Sequence, residues 1–131
     1  PAAPITILDA PPGTSCGAVA AVKDCDFVLL VTEPTPFGLN DLRLAVEMLR
    51  ELRLPCAVVL NRADVGDDQV EDFCRAESLE ILLRIPEDRA IAEAYSRGAL
   101  LLSQQPEYAA KLVELYERVA KRVDNARVSH T

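Results

Sequence analysis

The sequence lacks the features that mark nucleic-acid-binding, membrane-spanning and secreted proteins. It has 14 Lys and Arg residues against 21 Asp and Glu residues, a formal net charge of −7. Nucleic-acid grooves and anionic membrane surfaces attract clustered Lys and Arg, so this charge argues against both partners. No apolar run approaches membrane-spanning length, and no signal peptide is visible. We therefore expect a cytoplasmic protein with no nucleic-acid partner and no membrane span.

The four cysteines lack the spacing of common metal centres, because no two of them form a Cys-x-x-Cys pair. This excludes zinc-finger and ferredoxin-type motifs within the chain. A disulfide framework is not expected in a chain of this length without a secretion signal. Cys56 lies in an apolar run and Cys74 on an apolar helix face, so both are predicted to be small buried hydrophobic residues.

What the sequence does contain is a regular alternation of buried strands and amphipathic helices. Apolar runs predict strands at 5–8, 27–31, 57–60 and 79–85. Helical periodicity predicts five helices. Two run over about 16–22 and 39–52, a third starts after Asp67 or Asp68, and a fifth starts after Pro106. The fourth lies between the last two and has Ile91, Ala94 and Tyr95 on its inner face. This order predicts an α/β fold, a mainly parallel sheet with flanking helices. Residues 1–131 fit a single domain, with residues 124–131 as a frayed polar tail.

The first predicted strand leads into a candidate phosphate and metal site. Asp9 follows the apolar residues 5–8, and two prolines and Gly13 then interrupt regular structure. A carboxylate at the end of a strand can hold Mg²⁺, usually through a water molecule. A glycine lets a backbone N–H approach a phosphate oxygen closely. The alternative is a simple turn capped by the aspartate.

Polar residues also follow the other predicted strands, at 32–34, at 61–62 and at 86–88. Parallel sheets bind ligands beyond the carboxyl ends of their strands. Asn61 offers both a donor and an acceptor, so it can pair with a purine edge. Backbone groups near 86–88 could complete a base pocket. The alternative for Asn61 is a cap at the end of its strand.

Four segments in order resemble the C-terminal half of a MinD/ParA-type P-loop ATPase, also described as a CobQ/CobB/MinD/ParA nucleotide-binding domain. They are residues 9–16, 31–42, 59–64 and 85–88. The resemblance covers nearly the whole chain and is strongest to the branch with an inserted ferredoxin domain. It implies a P-loop NTPase-like fold, ATP and Mg²⁺ as cofactors, a homodimer, and an iron–sulfur or redox partner protein.

The resemblance also assigns roles around the phosphates and the dimer interface. It implies that Asp9 is a Walker B-like aspartate, which holds Mg²⁺ through water, and that Gly13 is the switch II glycine. Asp41 would lie near the dimer interface. Cys16 repeats the spacing of a cluster ligand in the related nitrogenase iron protein, so it is a candidate for an iron–sulfur cluster shared between two copies. The alternative is a small residue that starts a helix.

The base pocket implied by the resemblance uses the ends of the later strands. Asn61 would contact adenine, with Arg62 beside it and the run Pro86, Glu87 and Asp88 completing the pocket.

Parts of the family's pattern are not found in residues 1–131. They are the Gly-rich P-loop with its lysines, the switch I aspartate and the ferredoxin cysteines, all of which would precede Pro1. The chain also begins without methionine, so we interpret it as a piece of a longer protein. Since the P-loop supplies phosphate-binding N–H groups and a lysine, we expect half a nucleotide site that does not hydrolyse ATP alone.

Two other functions are consistent with the residues. Asn61-Arg62-Ala63-Asp64 resembles the guanine-reading Asn-Lys-x-Asp motif, although Arg replaces Lys and the Asp9–Gly13 spacing is one residue too long for a GTPase. A non-enzymatic protein-interaction domain is the second alternative.

The missing P-loop strand also has a consequence for the sheet. In the family's topology that strand lies between residues 5–8 and 27–31, and its absence leaves a slot. We expect these two segments to pair directly or a second copy of the chain to fill the edge, with the dimer favoured.

Overall fold

A computed structural model of the chain describes residues 5–98 and 106–129. Its centre is a sheet of three parallel strands in the order β1-β2-β3. Val28 lies opposite Cys56 and Thr32 opposite Leu60, while an irregularity between Val58 and Val59 shifts the pairing of β2 with β3. The strands are β1 (Val28–Thr32), β2 (Cys56–Asn61) and β3 (Ile81–Ile85).

Helices alternate with these strands along the chain. They are α1 (Cys16–Val22), α2 (Pro36–Glu51), α3 (Gln69–Ala76), α4 (Arg89–Ser96) and α5 (Pro106–Ser129). Helix α2 begins where Thr35 accepts a hydrogen bond from the Gly38 N–H at 3.0 Å, and Pro36 suits the first turn. None of the described helices is both long enough and apolar enough to cross a membrane.

The core lies between the sheet and the inner faces of α2 and α3. All four residues of the predicted strand 57–60 are buried, as expected for a central strand covered on both faces. Val58 and Leu60 of this strand pack with the apolar stripe of α2 and with α3, against Leu42, Val46, Val70 and Cys74. The predicted α/β fold with a parallel sheet is therefore confirmed.

The prediction of a strand at residues 5–8 is wrong. These residues form no strand, and Ile7 and Leu8 are 80% and 57% exposed. Their apolar sequence favours an extended conformation, but a strand also needs a neighbour with which to exchange hydrogen bonds. In the described part of the chain the only neighbour of β1 is β2. The direct pairing of residues 5–8 with 27–31 is therefore absent.

Of two further helix ends, one differs from expectation and one agrees with it. Helix α5 includes residues 124–129, which composition suggested as a frayed tail, because no glycine or proline interrupts the sequence after Pro106. Helix α3 begins after Asp68, as predicted, and Asp67 accepts a hydrogen bond from the Gln69 N–H at 3.0 Å. The predicted inward face of α4, at 91, 94 and 95, and the final residues 130–131 lie outside the described side chains.

Candidate functional site

An ion cluster joins the carboxyl ends of all three strands. Arg62 follows β2, and its guanidinium lies 3.1 Å from a Glu87 carboxylate oxygen and 3.7 Å from a Glu33 carboxylate oxygen. Glu33 follows β1 and Glu87 follows β3. The three side chains are between 42% and 51% exposed, so solvent screens their attraction and the pairs add little to stability. The cluster therefore mainly fixes the position of the Arg62 guanidinium at this edge of the sheet.

The turn at Asn61 sets the direction of this arginine. Arg62 has a φ of 52°, a left-handed conformation that is uncommon outside glycine. The Asn61 side-chain oxygen accepts a hydrogen bond from the Arg62 N–H at 3.1 Å. This bond supports the capping alternative for Asn61. Among the described residues, the amide N–H donors and the second oxygen lone pair have no other partner.

One polar atom in this cluster has no partner among the described residues. The Arg62 Nε is buried and makes no hydrogen bond. A buried donor without an acceptor costs about 1–3 kcal/mol, so this N–H favours any acceptor that can reach it. The sequence predicted that Arg62 lies in the site, but it did not indicate that the Nε–H group would be buried without an acceptor.

The loops after β2 and β3 are held together by an aspartate. Asp64 accepts a hydrogen bond from the Glu87 N–H at 2.5 Å, and Asp88 accepts one from the Ala90 N–H at 2.8 Å near the start of α4. Asp64 is the residue that would read guanine in the GTPase alternative. Its engagement with the protein backbone gives it a structural role. Pro86 is exposed between β3 and Glu87.

Two glycines that the sequence analysis did not single out hold the loop after β1. A Cβ atom at Gly38 would lie 2.2 Å from the Glu33 carbonyl oxygen, and one at Gly66 would lie 2.0 Å from that of Pro34. Gly66 also has a φ of +96°. Both positions require the absence of a side chain, because the loop backbone occupies the space. The only sequence signal for Gly66 was its place in a turn-forming run.

The predicted phosphate side is separate from this cluster. Asp9, Gly13 and Asp41 line a large cleft on the far side of β1, whereas Asn61, Arg62 and 86–88 do not. Gly13 has a φ of +88°, and no other atom lies near the position that a Cβ atom would take, so this turn is not packed against the rest of the chain. Within the described residues no three His, Cys, Asp or Glu side chains converge on a possible metal position. The structure therefore places Asn61, Arg62 and Glu87, which were predicted for the base pocket, at one edge of the sheet. It places Asp9 outside that group, on the cleft.

The cysteines differ in their exposure to solvent. Cys16 is exposed at the first position of α1, whereas Cys74 is buried in the core, as predicted. Burial raises the pKa of the Cys74 thiol to about 11, with a smaller contribution from Glu71. Cys56 is half-buried, which raises its pKa as well.

The four curated proteins that match this chain in sequence are all longer than it. No protein-family profile matches it. It is 36% identical over 98 residues to the uncharacterized protein MJ0579 of Methanocaldococcus jannaschii, which covers 75% of the chain and 33% of that protein. It is 28% identical over 116 residues to an iron–sulfur cluster carrier protein of Aquifex aeolicus, covering 77% of the chain and 32% of the relative. The chain thus spans about a third of the length of these relatives.

A solved structure decides the fold. The cell division ATPase MinD of Pyrococcus furiosus superposes with a TM-score of 0.64 and 29% sequence identity, covering 89% of this chain and 50% of that one. The chain has the MinD/ParA ATPase fold. The resemblance drawn from the four sequence segments is confirmed. Within the MinD/ParA fold, the ion cluster and the cleft are two separate regions along the same sheet.

Proposed function

We propose that this chain is the part of a MinD/ParA-type ATPase that binds the purine base of ATP and contributes one side of its Mg²⁺–phosphate site. The observation that carries the proposal is at the carboxyl end of a parallel sheet. There the Arg62 Nε has no acceptor among the described residues, and neither do the amide N–H groups of the preceding residue, Asn61. Ligands of such sheets bind at this edge. An adenine ring presents acceptors for these donors, and the second Asn61 lone pair can accept from its amino group.

The residues are compatible with Mg²⁺ as well. Mg²⁺ commonly uses one or two carboxylates together with waters and phosphate oxygens, and Asp9 is an exposed carboxylate on the cleft. Bound there, the ion would neutralise phosphate charge. Asp9 would hold one of its waters, and the N–H of Gly13 would be free to approach a phosphate oxygen. Neither residue supplies the cations and N–H groups needed on the opposite side of a phosphate. We therefore infer that the chain alone does not hydrolyse ATP.

The iron–sulfur connection rests on relatives. Proteins of Aquifex aeolicus and Pyrococcus horikoshii that match the chain are named iron–sulfur cluster carriers. We propose that a longer protein containing this chain handles an iron–sulfur cluster as cargo, with an iron–sulfur or redox protein as its partner, and acts as a homodimer. Cys16 is exposed and could contribute a thiolate, but a cluster needs several such ligands.

The test of the base site compares two substitutions of Asn61 in the longer protein that carries a P-loop. Asn61→Ala removes both the cap and the amide donor, whereas Asn61→Asp keeps an oxygen for the Arg62 N–H and removes only the donor. Both should weaken ATP binding by about 1–3 kcal/mol in calorimetry, and ATP should bind more tightly than GTP. Asn40→Ala, on the exposed face of α2, is the matched control.

The outcomes separate binding from capping. If Asn61→Asp binds ATP as the unchanged protein does, Asn61 is only a cap and the base-site proposal fails. Equal affinity for ATP and GTP, unaffected by either substitution, would also remove Asn61 from the site. ATP turnover by the purified 131-residue chain that disappears in Asp9→Ala would contradict the half-site proposal.

A further inference from the structure

A series of polar contacts leads from the Arg62 guanidinium to a residue outside the proposed base pocket. Arg62 donates to the Glu87 carboxylate at 3.1 Å. The backbone N–H of Glu87 donates in turn to the Asp64 carboxylate, at 2.5 Å. Asp64 therefore holds the backbone of the same residue whose side chain holds the Arg62 guanidinium.

The Asp64 bond joins the loops after β2 and β3 beyond the end of the sheet. The Ala63 N–H donates to the Ile85 carbonyl at 2.9 Å, which continues the pairing of the two strands. Past Ile85, and within the described part of the chain, the Asp64 bond is the one hydrogen bond between the backbone of residues 86–88 and the loop after β2. The position of that backbone relative to Arg62 therefore depends on Asp64.

The ion pair between Arg62 and Glu87 needs such a fixed point. The two side chains are 42% and 51% exposed, so solvent screens their attraction, and the pair alone does not hold them in one geometry. A hydrogen bond from a backbone N–H to a carboxylate is charge-assisted and stronger than a neutral one. By holding the Glu87 N–H, Asp64 limits the positions from which the Glu87 carboxylate can reach Arg62.

The same bond makes Asp64 a poor direct contact for a purine. An aspartate that reads guanine accepts hydrogen bonds from two N–H groups of the base, so both of its oxygens face the ligand. The Oδ1 atom of Asp64 faces the Glu87 N–H instead. This geometry favours an indirect effect of Asp64 on a bound base, through its neighbours.

We propose that Asp64 is a positioning residue of the base site, which orders Glu87 and Arg62 without contacting the base. The inference rests on the proposed function, because it names what holds that site. Asp64 fixes the Glu87 backbone, and Glu87 holds the guanidinium whose Nε has no acceptor among the described residues. Donors that are ordered before the base arrives lose less conformational entropy on binding, so the Asp64 bond raises the affinity for the base.

The experiment has a matched control in a second aspartate of the same loop. Asp67 also accepts a hydrogen bond from a backbone N–H, that of Gln69 at 3.0 Å, but this bond stays within the segment that leads into α3. Asp64→Ala and Asp67→Ala therefore remove the same kind of bond, and only the first separates the two loops. Asp64→Asn keeps an oxygen for the Glu87 N–H and is the conservative variant.

The first measurement needs no nucleotide. In the longer protein that carries a P-loop, NMR follows the exchange of the Arg62 Nε–H with water. Asp64→Ala should speed this exchange by about tenfold relative to Asp67→Ala, because the guanidinium is no longer held in one position. Asp64→Asn should exchange as the unchanged protein does. Equal rates in Asp64→Ala and Asp67→Ala would overturn the proposal.

The second measurement separates the base from the phosphates. Calorimetry with Mg²⁺ present compares ATP with tripolyphosphate, a probe that has no base. Asp64→Ala should weaken ATP binding by about tenfold and leave tripolyphosphate binding unchanged, since one ordering hydrogen bond is lost from the base side alone. Asp64→Asn and Asp67→Ala should bind both as the unchanged protein does. An equal loss for ATP and tripolyphosphate would show a general structural effect and contradict the proposal.

The outcome also distinguishes this proposal from the base site on which it rests. If Asn61→Asp weakens ATP binding but Asp64→Ala does not, the base site stands and Asp64 does not position it. If neither variant weakens ATP binding, both proposals fail.

Discussion

The two sides of β1 show that similar apolar segments form strands only when a neighbouring strand is present. Towards β2 and β3 the strands are paired, and their ends are joined by Arg62, Asp64 and their carboxylate and backbone partners. On the other side, residues 5–14 are exposed and lie along an open cleft. Both sides begin with an apolar run followed by a polar turn, but only the runs with a hydrogen-bonding neighbour form strands. We call the side with β2, β3 and the contacts between their loops the closed side. The side with residues 5–14 and the cleft is the open side.

The largest expected difference between the two sides comes from their glycines. Gly66→Ala places a Cβ atom 2.0 Å from the Pro34 carbonyl oxygen at a φ of +96°, so both a clash and a strained backbone result. It should lower the free energy of unfolding by about 3 kcal/mol or more. Gly13→Ala has a similar φ but open space around it, so we expect a loss of only about 1 kcal/mol. Urea unfolding measures both, and similar losses would mean that the loop after β1 is not held by Gly66.

The second-largest difference that we expect between the two sides is the rate at which their cysteines react with an alkylating reagent. Cys16 adjoins the open side and is exposed, whereas Cys74 is buried beneath the closed side. A pKa of about 11 lowers the thiolate fraction of Cys74 near neutral pH about a hundredfold relative to a thiol with a pKa of 9.0. We expect alkylation of the native chain to be fastest at Cys16 and much slower at Cys56 and Cys74. Mass spectrometry of partly labelled protein would refute this if the three rates were similar.

The same cysteine predicts a dependence of stability on pH. The folded state raises the pKa of Cys74 above its value in the unfolded chain, so it favours the neutral thiol. This contribution is complete below about pH 9 and is lost as the pH rises towards about 11. The free energy of unfolding should fall over that range, and Cys74→Ala should remove this part of the slope while lowering stability at every pH. An unchanged slope in the variant would assign the pH dependence to other groups.

The smallest effects concern the polar contacts of the closed side. Asp64→Ala leaves the Glu87 N–H without its acceptor and should cost about 1 kcal/mol. Glu33→Gln removes only a long, solvent-screened ion pair and should cost less than about 0.5 kcal/mol. Thermal unfolding of both variants checks the order. If Glu33→Gln proved the more damaging, the ion cluster rather than the loop hydrogen bonds would hold this edge together.

Local patterns in the sequence alone determined most of the fold. Strand β2 was predictable because a short apolar run of four residues, between Pro55 and the polar pair at 61–62, is typical of a strand covered on both faces. Helix α2 was predictable from its apolar stripe, and the α/β alternation then implied a parallel sheet. Asn61 and Arg62 were placed at the sheet's edge on the same reasoning, since the ends of parallel strands meet there.

Only the tertiary structure decided the features that depend on a distant partner. Residues 5–8 have the composition of a strand but no neighbour, so their hydrogen bonds cannot form within the described chain. The need for glycine at position 66 arises from the Pro34 carbonyl, 32 positions away in sequence. The unused Arg62 donor depends on which carboxylates reach its guanidinium and from which side. Such features depend on where folding places one segment against another, and local periodicity carries no information about that placement.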